Sequence, residues 1–336
     1  MIDSYGRTLD YLRVSVTDRC NLRCVYCMPP QGVPRKPHEA MLSFEEILRA
    51  AGIMARLGMR KIKVTGGEPL VRRGAAPFLK NLKSLPGIEK VTLTTNGLLL
   101  GGYLDEAEAL APGSLPDGVN ISLDALDNER FRYITRSDGA GPAEILSFVD
   151  RLAEKHIPVK LNCVIIRSLN EAEILPLAAL ARDRDVAVRF IELMPLGAGA
   201  ALKAVPGGEI AGLLETTYGA LTPFSGVPGS GPAVYYSLPG FTGNIGFINP
   251  VTRGFCETCN RLRLTSEGLL KPCLSYDLGL DLRPLLRSCA SDAELAQAIT
   301  ALVAQKPRHH TLSEIYGAPP AEVNGPHSGG MFKTGG

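Results

Sequence analysis

Six short runs rich in β-branched residues recur through the chain, at 12–17 (LRVSVT), 60–66 (RKIKVTG), 90–96 (KVTLTTN), 118–124 (GVNISLD), 158–166 (PVKLNCVII) and 186–194 (VAVRFIELM). Helical segments separate them: SFEEILRAAGIMARLG, APFLKNLKSL, LDEAEALA, PAEILSFVDRLAEKH and EAEILPLAALARDRD. Ser43 and Glu46 make a capping box at the start of the first of these. Strand followed by helix, repeated in this way, implies parallel strands buried on both faces. A doubly wound sheet and a partial (β/α) barrel both satisfy the alternation, and periodicity does not separate them.

The stretches after the strands carry the next constraint. The first strand is followed by CNLRCVYCMPP (20–30), the second by TGGEPL (65–70), the third by TTNG (94–97), the fourth by SLDAL (122–126) and the sixth by MPLGAG (194–199). Each alone reads as a turn. Gathered at the carboxyl ends of successive strands, they read as one shared site, because barrel enzymes build their active sites on that face. Beyond residue 200 the alternation stops. Glycine, proline and serine dominate 201–245, an irregular connection with one short helix around EIAGLLETTYG. A second cysteine group follows, then a helical stretch, SDAELAQAITALVAQKP, and a tail, GPHSGGMFKTGG, that reads as flexible.

Charge and composition exclude several classes. A net charge of +2 over 336 residues argues against a general nucleic-acid or membrane-surface binder. No apolar run approaches the roughly 18 residues of a membrane span. The opening MIDSYGRTLD lacks the basic and apolar regions of a signal peptide, so a cytoplasmic location is expected. Cysteines there stay reduced, and clustered ones suit metal binding. Of the eight cysteines, Cys20, Cys24 and Cys27 form C-x3-C-x2-C, and Cys256, Cys259 and Cys273 form C-x2-C-x13-C. Cys163 reads as a core residue, and Cys289 shows no partner spacing.

Three thiolates do not close a structural zinc site, and the nearest histidine, His38, lies behind two prolines. A cubane iron–sulfur cluster held by three cysteines keeps one iron open for a substrate. Viewed alone, C-x3-C-x2-C leaves zinc or an electron-transfer cluster standing. With GGEP after the second strand, the open cluster is the better reading.

C-x3-C-x2-C with Tyr26 before its last cysteine, together with TGGEPL, resembles the radical S-adenosylmethionine superfamily. FCETCNRLRLTSEGLLKPCL and the terminal Gly-Gly narrow the resemblance to the GTP 3′,8-cyclase family of molybdenum cofactor biosynthesis, from about Leu12 to the last residue. The resemblance implies a partial (β/α)6 TIM-type barrel over 1–200, and a C-terminal iron–sulfur extension over 201–336 that ends in the Gly-Gly tail. It implies two [4Fe-4S] clusters, on Cys20, Cys24 and Cys27 and on Cys256, Cys259 and Cys273. S-adenosylmethionine would meet the first, beside Tyr26, Gly67, Ser122 and Met194, with Glu68 assisting. GTP would meet the second, with Arg13, Lys63, Thr94, Lys160, Arg261, Leu262 and Arg263 around it. Gly335 and Gly336 would enter the pocket and serve catalysis, and Arg189 is a further basic candidate. Lys63 and Lys160 lie in apolar strand runs, where a lysine is costly to bury without an anion. The implied partners are GTP, an electron donor, the cyclic pyranopterin monophosphate synthase that takes the product, and a second copy in a homodimer, with no nucleic acid and no membrane. Two other classes fit the cysteines less well: a radical enzyme with an auxiliary cluster acting on a peptide, and a zinc-stabilised binding protein.

Overall fold

The computed structural model describes residues 1–310 except 35, 111, 112, 227, 228, 230 and 277. The six expected strands form: β1 (Tyr11–Ser15), β2 (Lys61–Thr65), β3 (Lys90–Thr95), β4 (Val119–Ser122), β5 (Val159–Val164) and β6 (Val186–Ile191). They lie side by side in that order, all parallel. The helices between them are α1 (Phe44–Arg56), α2 (Ala75–Lys83), α3 (Leu100–Leu110), α4 (Asn128–Thr135), α5 (Pro142–Glu154) and α6 (Ile174–Asp183). The capping box of α1 is made: Glu46 N donates to Ser43 Oγ at 3.1 Å, and Ser43 N donates to a Glu46 carboxylate oxygen at 2.7 Å. Two helices, not one, join β4 to β5. The extra one, α4, is short and polar and buries only Phe131, Ile134 and Thr135, so it carries little periodic signal.

The irregular reading of 201–245 is corrected in part. The short helix is present as α7 (Gly207–Tyr218), but a hairpin of β7 (Thr222–Phe224) and β8 (Val234–Ser237) follows it, and β9 (Asn244–Ile248) begins there. Pro223 sits in β7, which among the described residues is an edge strand, where a missing N–H is tolerated. The glycine-rich flanks of VYYS hid the strand that they bracket.

Next come β10 (Arg261–Leu264), β11 (Leu269–Lys271), β12 (Leu280–Asp281), α8 (Leu282–Arg287) and α9 (Asp292–Ala304). Strand β9 pairs parallel with β6 at one edge of the six, and β10 pairs parallel with β1 at the other. The sheet runs β12-β11-β10-β1-β2-β3-β4-β5-β6-β9-β8-β7, and among the described residues its two ends do not meet. It is a partial barrel, as expected, whose wall is lengthened on both sides by strands from beyond residue 200.

Register explains the two faces of the wall. Leu12 is level with Ile62 and Leu262, and these side chains are buried in the helix-covered core with Val14, Val64 and Leu264. Burial of each such side chain contributes about 1.5–3 kcal/mol. The alternate positions are cationic: Arg13 is level with Lys63 on one side and Arg263 on the other. Strand period two therefore sends leucine and valine outward and guanidinium and ammonium groups inward. Cys163 is fully buried in the core, as expected. No helix among the described residues is long and apolar enough to cross a membrane.

Candidate active site

The carboxyl ends of the strands open into a cavity of about 310 Å³, lined by all six clustered cysteines. Local bonds shape the first triad. Cys27 N and Met28 N donate to Cys24 O at 2.9 and 3.1 Å, closing a turn, while Arg23 N and Val25 N donate to Thr135 O and Ile134 O, docking the loop on the end of α4. The glycine-rich loop after β2 is laced to the same segment: Gly67 N donates to Thr17 O at 2.7 Å and Glu68 N to Arg19 O at 2.8 Å. A Cβ at Gly67 would collide with the backbone of Asp18 and Arg19. The close approach that demands glycine here is to the cysteine loop itself.

Glu68 is buried and accepts from Leu70 N (3.1 Å), Thr95 Oγ1 (2.8 Å) and Asn96 N (2.7 Å). Burial lifts its carboxyl to about 7, against the pull of those bonds. Asn96 in turn donates to Asn21 Oδ1 at 2.8 Å, beside Cys20. Tyr26 OH donates to Asp124 Oδ2 at 2.7 Å, and Asp124 Oδ1 accepts from Val164 N at 2.8 Å. Asp124 thereby ties the cysteine loop to β4 and β5. Burial raises the Asp124 carboxyl to about 6, despite those two donors.

Arg13, Lys63, Arg189, Arg261 and Arg263 line the cavity. Burial first, and neighbouring cations second, hold Lys63 well below the usual lysine range. Burial and the charges of Arg13 and Arg261 bring Arg263 down to about 9. Burial likewise brings Arg13 to about 10, although the neighbouring Tyr11 opposes the shift. Arg189 donates to Asn120 Oδ1 at 2.6 Å. Its Nε and that of Arg261 are buried with no hydrogen-bond partner among the described residues. So many cations, packed until their charge becomes costly, make a receptor for a multiply charged anion.

The donor sets fit iron–sulfur clusters. Among the described residues no three His, Cys, Asp or Glu side chains converge as one metal ion requires. Two groups of three cysteines lining one cavity suit iron–sulfur clusters, whose irons are separate points of attachment for thiolates. Burial pushes the Cys20 and Cys24 thiols up. Such thiols give up protons to a positive partner, which irons provide. At Cys259 burial also raises the thiol, but the charges of Lys306, Arg261 and Arg263 prevail and carry it below its ordinary value.

Comparison with known proteins fits this arrangement. The Radical SAM superfamily model matches residues 14–181, and the Molybdenum Cofactor Synthesis C model matches 186–312. A GTP 3′,8-cyclase of Moorella thermoacetica is 44% identical over 96% of this chain and 98% of its own. Another, from Heliobacterium modesticaldum, is 45% identical over 95% and 98%. The chain belongs to the GTP 3′,8-cyclase family. As a radical S-adenosylmethionine protein it uses a [4Fe-4S] cluster and S-adenosylmethionine. Among solved structures, Streptococcus suis SuiB bound to S-adenosylmethionine aligns with a TM-score of 0.58 at 14% identity, over 86% of this chain and 67% of that one. SuiB bound to the precursor peptide SuiA gives 0.61 at 13% identity, over 96% and 75%. At that identity the likeness concerns the fold alone.

The structure gathers most residues that family resemblance nominated. Tyr26, Gly67, Thr94, Ser122 and Met194 line the cavity with the cations and the cysteines. Leu262 does not: its side chain is fully buried in the core, so only its backbone is available to a cyclase substrate. Lys160 is not among the residues that line the cavity either; its Nζ lies 5.5 Å from the centre of the Tyr235 ring. Gly246, level with Tyr235, leaves the room that the ring takes, since a Cβ there would lie 2.8 Å from a ring carbon. Gly335 and Gly336 lie outside the described residues. Sequence reading missed Asp124, Tyr235 and Lys306. Asp124 had a visible signal, an acid at the end of a buried strand in SLDAL. The other two act through partners far away in the chain.

Proposed function

We propose that the two cysteine triads hold two [4Fe-4S] clusters with separate tasks at one cavity, the first facing S-adenosylmethionine and the second facing the guanine of GTP. The reaction is that of a GTP 3′,8-cyclase, a lyase and the first step of molybdenum cofactor biosynthesis. Cys20, Cys24 and Cys27 would hold the first cluster, which with bound S-adenosylmethionine would supply a 5′-deoxyadenosyl radical able to take the 3′ hydrogen of GTP; closure of the ribose radical on guanine C8 would then take up one further electron, from the external donor, and a proton to give 3′,8-cyclo-7,8-dihydroguanosine triphosphate. The protein's part is to hold both molecules in register and to keep water out.

One observation carries this assignment: both triads and five cations line the same cavity. The Gly67 loop and Glu68 lie beside the first triad, where the amino group of S-adenosylmethionine binds. Tyr26, Ser122 and Met194 surround its adenosyl part. Arg13, Lys63, Lys160 and Arg189 face the triphosphate, with arginine forks suited to phosphate oxygens. Thr94, the Leu262 backbone, Arg261 and Arg263 complete the nucleotide site, and the tail residues Gly335 and Gly336 serve ring closure. An external donor reduces the first cluster, the product passes to cyclic pyranopterin monophosphate synthase, and the enzyme is a cytoplasmic homodimer; these follow from family resemblance. The test is anaerobic reconstitution, reduction and addition of both substrates. 5′-Deoxyadenosine appears together with the cyclised nucleotide, and 5′-deoxyadenosine alone would sink the assignment of GTP.

Lys160 gives the binding step a pH signature. Burial, then the charges of Arg189 and Lys90, hold its ammonium down to about 7. The free protein at higher pH therefore carries it largely neutral, and a bound triphosphate restores the proton. GTP binding takes up protons, and affinity falls as pH rises above about 7, by at most roughly tenfold per unit for one such group. Stability moves the other way. The unfolded chain binds more protons between about 7 and the ordinary lysine value, so this group's contribution to folding improves across that window. Titration calorimetry in buffers of different ionisation heat reads the uptake, which Lys160→Met abolishes. Undiminished uptake in that variant would assign the proton elsewhere.

A further inference from the structure

Residues 306–310 are hydrogen-bonded to all three short stretches that carry the cysteines of the second triad. Lys306 is 3% exposed, and its Nζ donates to Arg261 O at 2.9 Å and to Pro272 O. An ammonium group has three donors, and two of them go to these backbone carbonyls. Arg261 O lies just beyond Cys259, and Pro272 immediately precedes Cys273, so one nitrogen fixes the two cysteine stretches that flank the β10–β11 hairpin. The third stretch is held from the same segment. His310 N donates to Cys256 Sγ at 3.4 Å. Arg7, buried and paired with Asp3 at 2.6 Å, donates to Cys256 O at 2.8 Å, to Pro307 O at 2.7 Å and to Arg308 O at 3.0 Å.

A buried ammonium is costly unless a negative group offsets it. Among the described residues no carboxylate hydrogen-bonds or pairs with Lys306, and its two carbonyl acceptors lie beside Cys259 and Cys273, whose sulfurs are the groups placed to offset its charge. The cation and the thiolates therefore account for one another. Carbonyl acceptors alone would be served by a neutral donor, and the charge has a use only when the sulfurs are charged too.

The structure assigns Lys306 as the positioning cation of the second cluster, setting the separation of its ligand loops and offsetting the charge of its thiolates. The assignment rests on the reading, proposed above, that this triad holds a cluster. Hydrogen bonds to ligand sulfur and nearby positive charge both raise the reduction potential of an iron–sulfur centre. Lys306 thus makes the second cluster easier to reduce and holds its open corner where guanine meets it.

Full-length chains in which alanine replaces the first triad's cysteines isolate the second cluster. In that background Lys306→Met and Lys306→Arg are compared after anaerobic reconstitution. Iron and sulfide are counted, the midpoint potential is followed by electron paramagnetic resonance, and GTP affinity is measured by equilibrium binding. Lys306→Met shifts the midpoint to more negative potential and weakens GTP about tenfold, the scale of losing a residue that orients metal ligands. Lys306→Arg keeps the midpoint near that of the unsubstituted lysine. If Lys306→Met loses its iron while Lys306→Arg keeps it, the positive charge is again what matters, and the assignment stands. An iron-replete Lys306→Met with an unchanged midpoint overturns it, and so does equal iron loss in both variants. A second triad that takes up no cluster with Lys306 in place overturns the two-cluster reading itself.

Discussion

Replacing Cys24 by alanine stops formation of 5′-deoxyadenosine, while replacing Cys259 leaves some of it running without a cyclised product. The two sulfurs line one cavity but belong to different loops. Cys24 closes the turn after β1 and is bound up with Cys27 and Met28. On the proposed assignment its loss removes a ligand from the cluster that meets S-adenosylmethionine, and with it the route for the electron. Cys259 lies just before β10, near Arg261, Arg263 and Lys306, in the part of the cavity proposed to hold the nucleotide. Its loss frees guanine, so the adenosyl radical forms less often beside a 3′ hydrogen and is quenched elsewhere. Single-turnover assays with both variants, quantifying 5′-deoxyadenosine and cyclised nucleotide separately, read the difference. Equal loss of cleavage in the two would end the division of labour between the triads.

Gly67→Ala has the second large effect. The added methyl group meets Arg19 O in hard contact, with Arg19 C at 2.7 Å and Asp18 O at 2.8 Å. All three are backbone atoms of the segment that leads into Cys20, so nothing flexible can give way. Overpacking of this kind costs about 1–3 kcal/mol. The larger consequence is functional, because Gly67 N and Glu68 N are the bonds that lace the two loops together. Gly67→Ala loses iron from the first triad and keeps it on the second, with the melting temperature lowered by a few degrees, at roughly 1–2 °C per kcal/mol for 336 residues. Gly208→Ala on α7 is the control: among the described residues no atom beyond its chain neighbours and its own helix backbone lies within 4 Å of the added carbon, and alanine is the better helix former. Its melting temperature stays level or rises. Full iron on both triads in Gly67→Ala would show that the loops part without harm.

The inner strands are legible because each is a short β-branched run followed by a helical pattern, and Ser43 with Glu46 marks the start of α1 from residue type and spacing alone. What stays hidden has physical reasons. Strand β10 reads Arg-Leu-Arg-Leu, a clear period-two signal, but it stands between cysteines, where the metal-type spacing draws the eye instead. Strand β8 is bracketed by glycine and proline, and α4 has too few apolar positions to show a period. In the site, the cysteines and most cations follow from spacing and resemblance. Leu262 shows the limit of that route, since its neighbours turn into the cavity and it turns into the core. Lys306 gives no signal in the sequence because its partners, Arg261 and Pro272, meet it only through folding.

The pairing of β10 with β1 dictates the order of events on the ribosome. Asn260 donates to Asp10 at 2.6 Å across 250 residues of sequence, and until that seam closes the first strand has one bare flank. Contacts between such distant segments form late and slowly. A nascent chain can therefore expose its first cysteines well before it has the strand that walls them in. Oxygen and stray metals find those sulfurs during that interval, so iron delivery is best timed to follow release of the finished polypeptide.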